Sequence, residues 1–324
     1  MKRTLIAAAI AALATGSALA QSSYSIYGLI DLSYGKSIAS DSLGLDADFH
    51  SGGDNGSGEG NSTTRIGIKG SGDVGSGIKA NFNLETGGIT SNGDVNPGGF
   101  FFNRQAWAGL SSSYGEVRLG RQDSVPFQTG LDFDFNGASN GISSWGYSAV
   151  APWGATLSRQ SRSLQYISHV IAGFKAQGGY VPKGNDDVTA KDTFSGGVTF
   201  ATGGLKLAAT FETPRTDSGS NFGALMGMYD FGVVKVSASY ADGATGVKGY
   251  GLGIVAPVAG FNIGALYGDN SDTKGKAYEI FINKEVLKNT YAYAEFGSAD
   301  DKAMQALGLT SKGNGFAVGV IFTF

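Results

Sequence analysis

The sequence predicts an all-β fold, a transmembrane antiparallel β-barrel of about sixteen strands, and three observations carry that prediction. Apolar and polar residues alternate with a period of two along many segments, which is the periodicity of a strand with two different faces. Glycine occurs 53 times in 324 residues, far above the usual ~7%, whereas proline occurs only 6 times. Tight and long connections also alternate, as they do when strands run up and down between two membrane surfaces.

The first 20 residues are typical of a cleaved export signal. Lys2 and Arg3 precede a short apolar run at residues 5–13, and small residues at positions 18–20 provide a cleavage site. A retained anchor helix is the alternative, but the apolar run is much shorter than the ~20 residues that a membrane helix needs. We therefore expect this segment to be removed and residues 21–324 to form a single barrel domain.

The sequence ends in a strand-like segment, GFAVGVIFTF, at residues 315–324. Its large apolar residues share one face, namely Phe316, Val318, Val320, Phe322 and Phe324. A segment of about ten such residues has the length of one tilted membrane strand. A terminal aromatic on this strand resembles the signal that the outer-membrane assembly machinery reads, so we expect Phe324 to contact that machinery. A closing strand of a soluble sandwich is the alternative, but soluble proteins rarely end on so apolar a strand.

Charged residues lie on the polar faces of several predicted strands. In one strand Ile66 and Ile68 alternate with Arg65 and Lys69, and the next strand carries Glu85 on its polar face. A dry core cannot hold these charges, because burying an unpaired charge is very costly. The inner face of the barrel is therefore predicted to enclose water.

The connections divide the chain into about sixteen strands, with both termini on the side of the tight turns. The tight connections lie near Asp73, Ser112, Ala172, Thr202, Gly232, Val258 and Leu287. The long connections lie at residues 38–61, 87–101, 122–160, 183–191, 213–219, 242–247, 268–275 and 298–314.

Three segments and the closing strand resemble the general diffusion porins of Gram-negative outer membranes, most closely the betaproteobacterial and neisserial branch. The segments are YSIYGLIDLSYG at 24–35, TRIGIKGSGDVGSGIKANFNLETG at 64–87 and NRQAWAGLSSSYGEVRLGRQ at 103–122. The resemblance implies a homotrimer in the outer membrane, surrounded by lipid, that passes ions and small hydrophilic solutes. It also implies that a long third external loop, between Arg121 and Arg159, folds into each pore.

In this family, arginines on the barrel wall face acidic groups of the third loop across a narrow constriction. The matching motifs place the wall arginines at Arg65, Arg104 and Arg159, with Arg162 as a competitor for the third position. The candidate loop acids are Asp123, Asp132 and Asp134. The spacing of acidic residues in this loop differs from the family's usual pattern, so which of the three face the arginines stays open. Secondary lumen candidates are Glu85, Lys69, Arg118 and Arg121, of which the last two have a structural alternative as residues at the loop's entry.

Composition and charge disfavour other functions. The chain has 2 histidines and no cysteine, so acid–base and thiol chemistry have few candidates, and we expect no catalytic site, cofactor or metal. With 24 basic against 27 acidic residues it offers no electrostatic basis for nucleic-acid binding. A substrate-specific channel or a closed barrel acting as an adhesin remains the alternative, and Trp145, Tyr147 and Trp153 in the third loop could line a sugar path. Three wall arginines against two or three acids predict a weak preference for anions.

Overall fold

The computed structural model describes residues 22–95, 101–153, 158–184, 190–243 and 247–324. The predicted export signal and parts of four long connections lie outside these ranges. In the described ranges, no helix is long and apolar enough to cross a membrane. The strands are β1 (Ser23–Lys36), β2 (Asp48–Ser51), β3 (Arg65–Gly75), β4 (Ile78–Gly87), β5 (Gln105–Ser112), β6 (Gly115–Asp123), β7 (Arg159–Ile167), β8 (Phe174–Val181), β9 (Thr193–Thr202), β10 (Leu205–Glu212), β11 (Phe222–Asp230), β12 (Lys235–Gly243), β13 (Val247–Val258), β14 (Phe261–Asn270), β15 (Lys276–Leu287), β16 (Thr290–Ala299) and β17 (Gly313–Thr323). The short helices are α1 (Ile38–Ser42), α2 (Asp54–Ser57), α3 (Val125–Gly130), α4 (Ser144–Tyr147) and α5 (Asp301–Ala306), with a 3₁₀ turn at Leu131–Phe133.

The described strands form one antiparallel sheet that closes on itself. Residues 29–36 of β1 pair with β17, and residues 23–29 of β1 pair with β3. The short strand β2 lies inside the first long connection and pairs with β1 at residues 32–35, beyond the point where β3 ends its pairing. The sheet has 17 strands, and without the short β2 the other sixteen form a closed ring. This confirms the predicted barrel. Closure removes the exposed strand edges that an open sheet would present.

The predicted tight connections are all present between neighbouring strands. The hairpin between β13 and β14 is an example, since Val258 and Phe261 pair directly across it. Its two linking residues, Ala259 and Gly260, have φ angles of 52° and 81°. Two left-handed residues in succession are the geometry of the hairpin turn whose twist matches the twist of the strands.

The two faces of the wall follow the alternation in the sequence. Leu32, Ile68 and Val318 point outward and are 56%, 41% and 59% exposed in the isolated chain. Asp31 and Gln165 point inward and are 0% and 1% exposed. Outward apolar residues of this kind form the surface that lipid contacts.

The third loop folds into the barrel and lies along the inner wall. Helix α3 packs on β8, β9 and β10, the 3₁₀ turn lies beside β11 and β12, and α4 packs on β14, β15 and β16. The loop contributes the buried apolar residues Phe133, Trp145 and Val150, which pack against inward residues of β10 to β15 such as Met226 and Leu266. The inner wall is therefore covered on this side and open on the side of β3 to β7.

Trp145 is the largest residue in this contact and is 0% exposed. Its indole Nε1 donates a hydrogen bond to the carbonyl oxygen of Tyr267 at 3.1 Å. The ring lies against Gly251 of β13, where an added Cβ would come within 2.5 Å of the Trp145 Cε2 atom. A side chain at this position would thus displace the ring, so the glycine is needed for close approach of the loop to the strand.

Buried polar groups also attach the loops to β16. The Glu295 carboxylate accepts hydrogen bonds from Asn61 Nδ2 at 2.8 Å, Asn136 Nδ2 at 3.1 Å and Ser139 Oγ at 2.8 Å. Asn61 belongs to the first long connection, whereas Asn136 and Ser139 belong to the third loop. One wall carboxylate therefore joins both loops to the barrel.

Candidate functional site

Five charged side chains meet on the open part of the inner wall. The arginines are Arg65 at the start of β3, Arg104 directly before β5 and Arg159 at the start of β7. The carboxylates are Glu85 on β4 and Asp123 at the end of β6. Neighbouring strands lie about 4.8 Å apart, so side chains at the same height on adjacent strands reach one another.

Direct contacts connect each carboxylate to an arginine. Arg104 Nε donates to Glu85 Oε1 at 2.5 Å, and Arg65 Nε lies 4.0 Å from Glu85 Oε2. Arg159 Nε lies 3.2 Å from Asp123 Oδ1, and the two residues are cross-strand partners. The acids thus lie between the arginines on the same stretch of wall rather than across the pore from them.

The cluster carries more positive than negative charge. The side chains of Arg65, Arg104 and Arg159 are 24%, 16% and 16% exposed, so each is partly in contact with the lumen. The three guanidinium groups are close enough to repel one another electrostatically. A guanidinium stays charged at any ordinary pH, so the repulsion persists and the cluster attracts anions.

Two of the three candidate loop acids lie away from this cluster. Asp132 forms an ion pair with Lys206 of β10, on the opposite wall. Asp134 is 4% exposed, and burial raises the pKa of its carboxyl to about 6. Its Oδ1 accepts a hydrogen bond from the backbone N–H of Asn136 at 2.9 Å, so it shapes the loop. Asp123, the acid that does contact an arginine, belongs to β6 and not to the loop.

The secondary candidates have separate places. Arg118 lies below the cluster, on the side of the tight turns. Its Nη2 atom is 2.5 Å from Glu116 Oε2. Arg121 donates to the carbonyl oxygen of Asn103 at 2.6 Å and so links β6 to the segment before β5. This contact matches the structural role that was its alternative. Lys69 lies four residues beyond the start of β3, with its Nζ over the ring of Tyr27.

Arg162 is separated from the cluster by a β-bulge. The register between β6 and β7 shifts between Gly120 and Gln122, and Arg162 has a φ of 57° in this irregular stretch. Its guanidinium lies beside Gly184, where an added Cβ would be 3.0 Å from the Nη1 atom. Of the two competing arginines, the fold therefore brings Arg159 and not Arg162 to the other wall arginines.

The three loop aromatics make contacts with one another and with neighbouring segments. Trp145 is fully buried, and Trp153 stacks on it with ring centroids 6.2 Å apart. The Tyr147 hydroxyl accepts a hydrogen bond from the backbone N–H of Ala39 at 3.2 Å. The expectation that Trp145 lines a solute path is wrong, because its ring is fully buried and packs the loop against the wall.

Sequence reasoning missed Tyr27 as part of the site. Its hydroxyl lies 2.8 Å from both Asn83 Oδ1 and Glu85 Oε2 and helps to hold the carboxylate in place. The alternation in β1 places Tyr27 on the inner face, but its partner could not be identified without the register between strands.

A closed membrane barrel, an inner loop and a charged gap beside it define an outer-membrane diffusion channel. A family model described as Gram-negative porin matches residues 7–304. The chain is 31% identical to the outer membrane porin protein 32 of Delftia acidovorans, over 97% of this chain and 93% of that relative. It is 30% identical to an outer membrane porin protein of Bordetella pertussis, over 79% of this chain and 74% of that relative.

A solved structure of similar shape is the anion-selective porin from Comamonas acidovorans. The TM-score is 0.73 at 25% identity, and the match covers 94% of this chain and 100% of that chain. The chain belongs to the Gram-negative porin family, and it forms a water-filled diffusion channel in the outer membrane. Its relatives are porins and not enzymes.

Proposed function

We propose that the channel prefers small anions and that Arg65, Arg104 and Arg159 set this preference. The observation that carries the proposal is the composition of the cluster, three guanidinium groups against the carboxylates of Glu85 and Asp123. The remaining acids of the third loop do not offset the excess, because one is paired with a lysine and the other is buried. The structurally similar Comamonas porin is anion-selective, which supports the same preference.

Reversal potentials in a salt gradient test the proposal. A unit charge about 5 Å from an ion in water contributes about 0.8 kcal/mol. Arg65→Gln or Arg159→Gln should therefore lower the anion-to-cation permeability ratio by about fourfold or more. Arg162→Gln is the matched control, because it removes the same charge away from the cluster and should leave the ratio unchanged. A cation-selective parent, or an equal effect of all three substitutions, would contradict the proposal.

The assembly we propose is a homotrimer of residues 21–324. The outward apolar residues and the porin family membership support it. Unheated protein in a detergent gel should migrate as an oligomer that heating dissociates. A heat-modifiable monomer that also fails to crosslink in membranes would rule the trimer out.

The closing strand should present Phe324 to the assembly machinery. The backbone of Phe324 exchanges hydrogen bonds with Gly28 of β1 at 2.9 and 3.2 Å, and its side chain is 46% exposed. Deleting Phe324 should reduce insertion, measured as the fraction of heat-modifiable protein in outer membranes. Lys288→Ala, in the neighbouring turn, is a control that should leave that fraction unchanged.

A further inference from the structure

A second site on the inner wall lies below the constriction, on the side of the tight turns. A cavity of about 600 Å³ reaches from Gln105 and Asp123 at the constriction down to Ser71 and Asn81. A volume of this size is typical of small-molecule sites, which range over ~300–1,000 Å³. Arg65 and Lys69 are four residues apart on β3, so Lys69 lies about 13 Å along the strand from the constriction.

Three of its residues form a row across adjacent strands. Lys69 of β3 is the cross-strand partner of Asn83 of β4, and Asn83 is the partner of Trp107 of β5. With strands about 4.8 Å apart, the row extends about 10 Å across the wall from the backbone of Lys69 to that of Trp107. All three residues line the cavity.

One end of the row offers unused hydrogen-bond donors. The Asn83 Oδ1 atom shares the single Tyr27 hydroxyl proton with Glu85 Oε2, each 2.8 Å from the hydroxyl oxygen, which leaves the Asn83 amide nitrogen as a donor. Among the described residues, neither that nitrogen nor the Lys69 ammonium has a hydrogen-bond partner, although the ammonium lies 4.9 Å from the Tyr27 ring centroid. An ammonium beside an amide N–H group is suited to a carboxylate.

The other end of the row is a flat, stacked surface. The Arg118 guanidinium lies 4.2 Å from the Trp107 ring centroid, and Glu116 pairs with it at 2.5 Å. Trp107 Nε1 donates to Gln105 Oε1 at 2.9 Å, so both planar groups are held in place. A flat ring stacks favourably on an aromatic face or a guanidinium plane.

We propose that this row is a binding subsite for small aromatic carboxylates on their way through the channel. The carboxylate binds Lys69 and Asn83, and the ring stacks against Trp107 and Arg118. The acids near the row do not repel such a ligand strongly, because each has an arginine partner. Glu116 is paired with Arg118, Asp123 with Arg159 and Glu85 with Arg104. This inference rests on the proposed function, since it assigns a preferred solute class to the same channel.

Block of single-channel current by benzoate, added in KCl on the side of the tight turns, tests the subsite. We expect saturable block in the parent, with an apparent Kd that rises about fivefold in Lys69→Gln and in Trp107→Leu. Cyclohexanecarboxylate has the same charge without the aromatic ring, so it should block less than benzoate in the parent, and this difference should shrink in Trp107→Leu. Lys79→Gln is the matched control, because Lys79 is an exposed inner-face lysine outside the cavity, and its Kd should stay unchanged.

The outcomes separate the two proposals. Block that is unchanged in Lys69→Gln and Trp107→Leu, or abolished by Arg65→Gln alone, would place binding at the constriction and overturn the subsite. A parent whose reversal potential shows no anion preference would overturn the proposed function instead. Lys69 is exposed, so Lys69→Gln keeps the test decisive even where Trp107→Leu does not assemble.

Discussion

The inner wall from β3 to β7 carries arginines and carboxylates that border the open pore, whereas the wall from β10 to β15 carries mostly small and apolar residues that the third loop covers. On the open wall, charge is tolerated because water reaches it and each carboxylate has an arginine partner. On the covered wall, Gly251 and Met226 leave room for Trp145 and contribute apolar surface. The two regions have the same strand geometry, so the loop's docking decides which wall faces the solute.

The covered wall should depend most strongly on Trp145. Replacing a fully buried tryptophan with alanine costs about 3–5 kcal/mol, so Trp145→Ala should undock the third loop in a measurable fraction of molecules. Limited proteolysis of the folded barrel within residues 124–153 reports the undocking, and single-channel recordings should show added current noise. Trp153→Ala, at the partly buried partner ring, should have a smaller effect. Equal protection of the loop in Trp145→Ala and parent would show that other contacts hold it.

The buried carboxyl of Asp134 should make loop docking depend on pH. Burial raises its pKa from 3.8 to about 6, and Glu279 and Glu295 of the covered wall face the same buried region. The Asp134 carboxyl has the raised pKa only when the loop is docked. Its contribution to the stability of the docked loop is therefore fully present below pH ~4 and is lost as pH rises through ~6. Asp134→Asn should weaken this dependence and favour docking at pH 7, because it removes one of the buried carboxyls.

Protease protection of the third loop at pH 4 to 7 measures this change. Asp132→Asn is the control, since Asp132 is exposed and paired with Lys206. Parallel pH profiles for the parent and Asp134→Asn would mean that another group controls docking.

The smallest expected effect is on ion selectivity, and it differs between the acids of the two walls. Asp123→Asn removes a negative charge from the cluster and should raise the anion-to-cation permeability ratio by about fourfold. Asp132→Asn removes the same charge beside Lys206 on the covered side and should change the ratio much less. Reversal potentials of the two variants make the comparison. A larger shift for Asp132→Asn would mean that the third loop carries the selecting carboxylate.

Much of the site could be found in the sequence because its residues belong to strands. Arg65 and Arg104 follow from their motifs, and the alternation in β3 and β4 places Arg65 and Glu85 on the inner face. The choice between Arg159 and Arg162 needed the bulge at Gly120 and Gln122, which changes the pairing of β6 and β7. No local pattern in the sequence reports such a shift.

The sequence by itself determined the barrel, because a period of two and the spacing of tight turns are local properties of the chain. It also determined which residues face inward. The tertiary structure alone decided which inward residues meet water and which meet the third loop. Asp132 and Asp134 show the difference, since they are two residues apart and one pairs with Lys206 while the other is buried. Their environments depend on how a long loop docks against strands far away in sequence, and long-range packing of that kind leaves no periodic pattern.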